Sequence, residues 1–242
     1  MSKSGCLYLN DELEKYSKTL GIDLFGVADL SSAENFVTFQ GGEHVGGFPR
    51  AISLGIRLID DVIDQLISHQ DHVAIASYRG VYDAANQALD RASLIKKKKV
   101  QDKGYNAYPI PASSMLKNGN FEAVFSHKVA ANLSGLGWIG KNCLLITPQY
   151  GPRVRLASVL TDAPLQTGTP LTNRCGKCTQ CVDICPSRAI TGVAFSPDEP
   201  RNVRLNAQRC DDYTTERMEV FGNANCGLCV HICPYGRNSR GK

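Results

Sequence analysis

The residues of this chain that most directly imply chemistry are its cysteines. The run Cys175-Gly-Lys-Cys178-Thr-Gln-Cys181-Val-Asp-Ile-Cys185-Pro186 has the C-x2-C-x2-C-x3-C-P spacing of bacterial proteins that hold two 4Fe-4S clusters. In that arrangement three thiolates bind one cluster and the fourth crosses to the other. Short spacings let one tight loop aim three sulfurs at a cube, and Pro186 fixes the chain direction after the crossing ligand. A second run, Cys226-Gly-Leu-Cys229-Val-His-Ile-Cys233-Pro234, repeats the ending but has Asn223 where the leading cysteine would stand. Cys210, sixteen residues before Cys226, restores the count to eight.

The expected ligand sets are Cys175, Cys178, Cys181 and Cys233 for one cluster, and Cys185, Cys210, Cys226 and Cys229 for the other. Two structural zinc sites, which also use four cysteines each, are the alternative. The paired C-x3-C-P endings and the interleaved fourth ligands favour clusters. Of the ten cysteines, Cys6 and Cys143 stay outside, and Cys143 reads as a small buried thiol packed in an apolar strand. His231, between two ligands, reads as a spacer or a hydrogen-bond donor to cluster sulfur.

These ligands need a scaffold. With 242 residues the chain suits an α+β core over 1–170 and a small ferredoxin-like module over 171–242. So small a module buries too little apolar surface to stand without a staple, and clusters supply one. No segment approaches the ~20 apolar residues of a membrane span, and Met1–Asn10 has no secretory pattern. The default expectation is a cytoplasmic protein without a membrane partner, where cysteines mean metal or redox chemistry rather than disulfides. The net charge of +4 is too mild to demand a nucleic acid. The run Lys96–Lys99 has no interleaved aromatics and reads as a solvated face.

Along the core, Asn10 reads as a helix start, Leu13, Tyr16 and Leu20 as its buried face, and Gly21 as its stop. Ile22–Ala28 and Ala51–Leu58 are apolar enough for central strands. From Asp60 to Lys103 the pattern is helical, with Val62, Ile63, Leu66, Ile67, Tyr82, Ala85, Leu89 and Ala92 facing a core. Gly104–Asn120 reads as an ordered loop, Ser126–Ser134 as a short helix, and Cys143–Thr147 with Val154–Thr161 as a hairpin. The boundary falls between Asp162 and Arg174.

The offset ligand Cys210 and the segment Gly135-Leu136-Gly137-Trp138-Ile139-Gly140-Lys141 resemble the epoxyqueuosine reductases and the related reductive dehalogenases. Phe25–Asp29, Pro49–Gly55 and Leu160-Thr161-Asp162 extend the resemblance over most of the chain. It implies a nitroreductase-like core that holds a cobalamin with its lower base detached, without the usual histidine ligand, fed with electrons by the two clusters. It also implies an electron donor such as ferredoxin or flavodoxin. Three departures stand out. Val81, in Arg79-Gly80-Val81-Tyr82-Asp83, takes the place of the family's catalytic Asp, and on a helix Asp83 points about 200° away from it. The chain ends nine residues after Cys233, before any helical-repeat region, which argues against tRNA as substrate without excluding it. The twin-arginine signal of respiratory dehalogenases is absent.

Expected walls for a cofactor are Ser113, Ser126, His127, Lys128, Gly137 and Trp138, with backbone amides at the helix start suited to carboxamide or phosphate oxygens. The glycines serve equally as a cap and tight turns supporting Trp138. Lys128, Lys141, Arg153 and Arg155 are candidate anion contacts, and Tyr78, Tyr82, Tyr105 and Tyr108 candidate proton donors. The reading is an iron-sulfur oxidoreductase whose core holds cobalamin, or less readily flavin, and reduces a small molecule. The alternative is an electron-transfer or reductive-activation protein for a partner.

Overall fold

Leu9, Leu13 and Ser17 recur at helical spacing and are all buried, which is the signature of one face of an amphipathic helix. In the computed structural model, which describes residues 3–113, 116, 121–222 and 225–237, they lie on α1 (Lys3–Thr19). There follow β1 (Leu24–Asp29), α2 (Glu34–Gly46), β2 (Arg50–Arg57), α3 (Asp60–Asp64), α4 (His72–Gln101), β3 (Ala107–Ile110) and α5 (His127–Leu133). The order continues with β4 (Trp138–Ile139), β5 (Leu145–Ile146), β6 (Val154–Thr161), α6 (Gln180–Asp183), α7 (Ala207–Phe221), α8 (Leu228–His231) and α9 (Pro234–Arg237). The chain divides into two units, one of Met1–Ile56, Ala85–Leu136 and Arg155–Leu171, the other of Arg57–Ala84, Gly137–Val154 and Thr172–Lys242. Among the described residues no helix is long and apolar enough to cross a membrane.

The first unit is built on a four-stranded sheet ordered β1-β2-β6-β3. β1 runs antiparallel to β2 with Val27 opposite Ile52, and β3 antiparallel to β6 with Tyr108 opposite Leu160. Alternation along the strands splits the core in two. Val27, Ile52, Leu54, Ala157 and Val159 pack with Leu9 and Leu13 of α1 and Leu89, Ala92 and Val100 of α4. On the other face Ala28, Ala51, Ile110 and Leu160 pack with Val37 and Val45 of α2 and Ala130 of α5. Helices therefore cover both faces, which explains why the central strands carry apolar residues at nearly every position.

Several local expectations change. Asn10 lies inside α1 rather than at its start. Its side chain donates to the Gln166 carbonyl at 2.8 Å and accepts from the Gln166 amide at 2.9 Å, so a turn-forming residue is retained for a long-range contact. β1 is an edge strand. Val154–Thr161 pairs in the main sheet and not with Cys143–Thr147, whose Leu145–Ile146 pairs with β4 instead. Ala107–Ile110, within the expected loop, is an edge strand, a position that tolerates Pro109. The rest of that loop at 114–115 and 117–120, including Ser114, lies outside the described residues. The helical run from Asp60 breaks before α4, where the Asp71 carboxylate accepts from the amides of Val73 and Ala74 at 2.8 and 2.9 Å. Ile67 consequently stands exposed.

The lysine run also departs from expectation. Lys96 is fully buried, donates to the Leu13 carbonyl and has its ammonium 5.1 Å from the Tyr16 ring centroid and 5.7 Å from that of Phe25. Lys98 and Lys99 keep to the surface, paired with Asp102 and Glu12. Burial drives the Lys96 ammonium down from 10.5 to about 7, with the positive charge of Lys99 adding to the effect. The unfolded chain therefore binds more protons than the folded one between these values, and stability rises with pH across that window. Replacing Lys96 by Met is expected to stabilise the fold most at pH 7 and below, with the advantage shrinking toward pH 10. Urea midpoints at pH 6.5 and 9.5 check this; an equal shift at both would contradict it.

Candidate iron-sulfur centre

Two adjacent side chains in the turn after β4 hold both cysteine segments of the second unit. Lys141 Nζ donates to the carbonyls of Gly176 and Cys178 at 2.9 and 3.1 Å. Asn142 Nδ2 donates to the Cys229 carbonyl at 3.2 Å, while its Oδ1 accepts from the Leu144 amide. Asn173 adds a third tie, accepting from the Cys175 amide at 2.8 Å and donating to the Ile139 carbonyl at 3.1 Å. Cys175, Cys178, Cys181 and Cys233 line one pocket together with Lys141, Ile146 and Tyr235. Among the described residues no three acidic, histidine or cysteine side chains close on a point that would hold a single metal ion.

The electrostatics of the thiols separate them in the same way. Burial, and after it the charges of Cys175 and Cys178, push Cys181 up to about 11, with Lys141 opposing the rise. Burial also takes Cys233 to about 11, with the amides of Tyr235 and Gly236 pulling it down and Cys175 and Cys181 pushing it up. Cys210 is exposed as a residue, yet partial desolvation of its thiol, and then Cys226 and Cys185, raise it. Cys226 is raised by burial against the pull of the Leu228 amide and of Arg217. Cys229 is raised by burial, then by Cys226 and Cys210, and more weakly by Cys181 and Cys185. Cys175, Cys178, Cys181 and Cys233 thus share a pocket, while Cys210, Cys226 and Cys229 act on one another or sense Cys185, and Cys229 also senses Cys181.

The remaining candidates have other partners. Cys143 is buried, in a turn at φ 57° rather than a strand, its amide bonded to the Gly140 carbonyl. The side chain of Cys6 and the whole of Asn223 lie outside the described residues. His231 Nδ1 donates to the Ile63 carbonyl at 3.0 Å, so its proton points at backbone. Ser113, Ser126, His127 and Lys128 belong to the first unit, Gly137 and Trp138 to the second. His127 meets Ser158 Oγ through Nδ1 and the Pro111 carbonyl through Nε2, both at 2.9 Å. The carbonyl must accept, so Nε2 carries the proton and the serine hydroxyl donates to Nδ1. Burial holds this imidazole down at about 4, hence neutral. A Cβ at Gly137 would stand 2.3 Å from the Ile146 carbonyl oxygen, which forces glycine there. Trp138 is buried edge-on to Tyr235 at 4.7 Å, with Arg174 over its ring at 5.7 Å.

Arg155 Nε donates to Asn86 Oδ1 at 2.9 Å. Val81 lies on α4, where Asp83 pairs with Arg79. Tyr78 is buried, edge to face with Tyr82 at 6.1 Å. Asn142, Asn173 and Arg217 were not singled out by the sequence reasoning, because nothing in their spacing separates them from ordinary polar residues.

Residues 174–236 match the 4Fe-4S double cluster binding domain family. Over 256 residues the chain is 25% identical to an epoxyqueuosine reductase of Bacillus anthracis, covering 93% of this chain and 64% of that protein. The chain is homologous to the epoxyqueuosine reductases. A solved epoxyqueuosine reductase in complex with an epoxyqueuosine-modified tRNA stem loop superimposes with a TM-score of 0.62 at 19% identity, over 97% of this chain and 67% of that one. A catabolic reductive dehalogenase in complex with 3-bromo-4-hydroxybenzoic acid gives 0.69 at 18% identity, over 93% of this chain and 31% of that one. The α+β fold is therefore that of epoxyqueuosine reductases and reductive dehalogenases. The chain spans about two thirds of the length of the epoxyqueuosine reductase it matches along its length.

Arg153, read from sequence as a candidate anion contact, is instead a bracket of the second unit. It is buried and donates to Asp60 Oδ1 at 3.1 Å and to Asp64 Oδ1 at 2.7 Å. Arg153→Met leaves both carboxylates without this partner and is expected to cost about 3 kcal/mol, the low end for a broken buried pair because Asp64 is partly solvated. Denaturant unfolding of the variant measures it, and a loss below about 1 kcal/mol would mean that the pair behaves as a surface one.

Proposed function

We propose that the chain is an iron-sulfur reductase of the epoxyqueuosine reductase type, with Cys175, Cys178, Cys181 and Cys233 holding one 4Fe-4S cluster and Cys185, Cys210, Cys226 and Cys229 the other. The observation that carries this reading is the pocket lined by Cys175, Cys178, Cys181 and Cys233, and the mutual influence of Cys210, Cys226, Cys229 and Cys185 supports the second set. The donor set fits, because soft thiolates suit iron-sulfur clusters. A buried cation with unsatisfied donors beside the second group, Arg217, fits an anionic occupant as well.

The clusters, when bound, supply one-electron storage, and likeness to the epoxyqueuosine reductases and to a reductive dehalogenase supports a corrinoid, or a substrate directly, as the acceptor in the first unit. Both nitrogens of His127 are engaged by Ser158 and Pro111, so the histidine among the expected walls is not offered as a cobalt ligand, in keeping with a corrinoid whose lower base is detached. The chain's own residues bind and insulate. Lys141, Asn142 and Asn173 hold the two cysteine segments in register, Ile146 and Tyr235 supply apolar wall to the first pocket, and Trp138 backs Tyr235. A ferredoxin or flavodoxin is the proposed donor, and a small molecule the proposed substrate. The tRNA stem loop of the solved relative makes an RNA substrate the comparison to run beside it.

A second reading, an electron carrier that activates a partner protein, is favoured by Val81 in the place of the family's acid and by the engagement of Asp83 with Arg79. Protein prepared without oxygen is expected to be brown, to bleach on reduction and to hold about eight irons, four per cluster. Colourless protein with two zincs would end the reading. Cys210→Ser is expected to halve the iron and leave one cluster signal in electron paramagnetic resonance, whereas loss of neither cluster would refute the ligand sets. Stoichiometric retention of added cobalamin supports the enzyme, and indifference to cobalamin and flavin supports the carrier.

A further inference from the structure

Helix α7 carries the ligand Cys210 and, two turns later, Arg217. Seven residues advance an α-helix by nearly two full turns, so the two side chains share a face, with Tyr213 between them. The helix is firmly bounded. Asn206 caps its first turn by accepting from the Arg209 amide at 3.0 Å, and Gly222 ends it at φ 64°. Arg217 is 4% exposed, and its guanidinium carbon lies 5.8 Å from the Tyr213 ring centroid and 5.0 Å from that of Phe221. The guanidinium also hydrogen-bonds the Tyr213 hydroxyl, while its Nε and Nη2 have no acceptor among the described residues.

A buried guanidinium with idle N–H groups is costly, because arginine stays charged and the lost hydration is not replaced. Such a group persists where an anion completes it. The positive charge of Arg217 already acts on Cys226, which belongs with Cys185 and Cys210 to the second thiol group. Four thiolates outweigh the cationic iron-sulfide core, so a bound cluster is a net anion and becomes more negative by one charge on reduction. Lys141, beside the first group, differs: its ammonium gives two hydrogen bonds to backbone carbonyls of the cysteine loop. Arg217 has spare donors and lies among aromatic rings, where its field is poorly screened.

We infer that Arg217 is the counter-cation of the second cluster, donating to its sulfur atoms and raising its reduction potential by stabilising the more negative, reduced form. This rests on the ligand sets proposed above. It makes Arg217 a positioning and tuning residue that controls the order in which the two clusters fill with electrons.

The test is a redox titration of the anaerobic protein followed by electron paramagnetic resonance, with Cys210→Ser protein identifying the first cluster's signal. Arg217→Met is expected to retain eight irons and to weaken reduction of the second cluster at least tenfold, 59 mV for a one-electron couple, with the first cluster unmoved. Arg217→Lys is expected to recover most of that shift. Unchanged potentials in Arg217→Met, or an equal shift of both clusters, would overturn the inference. Should Arg217→Met take up one cluster only, Arg217→Lys decides: a second cluster within tenfold of the wild-type equilibrium upholds the assignment, and its continued absence overturns it, since shape rather than charge is then what the site requires. Wild-type protein without two clusters would sink the ligand sets and this inference together, whereas two clusters indifferent to Arg217 would sink the inference alone.

Discussion

A thiol removed from water resists giving up its proton, yet an iron-sulfur cluster is held by thiolates. Every resolved shift among the cysteines is upward, with burial as the largest cause. The surrounding structure works against that tendency. Amides of Leu228, Tyr235 and Gly236 point at sulfur, Lys141 sits by the first group and Arg217 by the second. Backbone amides and cations are what a small unit can supply without adding flexible acceptors, and they favour the ionised ligands that a bound cluster needs.

The same constraint accounts for the uneven legibility of the chain. Ligand cysteines must stand at fixed separations along a tight loop, so their spacing announces them. The groups that orient those ligands are free of that rule. Asn142 reaches the Cys229 carbonyl from a distant point in the sequence, Asn173 joins the neighbouring Cys175 amide to the distant Ile139 carbonyl, and Arg217 is identified by what its side chain lacks as much as by what it touches. None of these leaves a periodic trace.

In the first unit, helices and most strands follow from apolar period and from Gly21 and Gly135. Partner choice does not. Val154–Thr161 has a strand's pattern, but the neighbourhood of Cys143–Thr147 suggested a hairpin, whereas burial on both faces draws it between β2 and β3. Lys96 was misread for a related reason: charge runs are usually solvated, and only the tertiary arrangement shows that Tyr16, Phe25 and the Leu13 carbonyl make a pocket for one of them. Asn10 likewise departs from its local preference because Gln166 offers both a donor and an acceptor to its amide.

The second unit draws on three stretches of chain, Arg57–Ala84, Gly137–Val154 and Thr172–Lys242. The stretch that carries the eight clustered cysteines contains neither Lys141 and Asn142, which tie its loops, nor the Arg153 bracket and Trp138. An excised ferredoxin cassette would leave these behind. Many contacts of the unit join residues far apart in sequence, which raises its contact order and slows its assembly. A ribosome releasing this chain must therefore deliver Thr172–Lys242 before the unit closes, and iron has a folded destination only after that stretch has emerged.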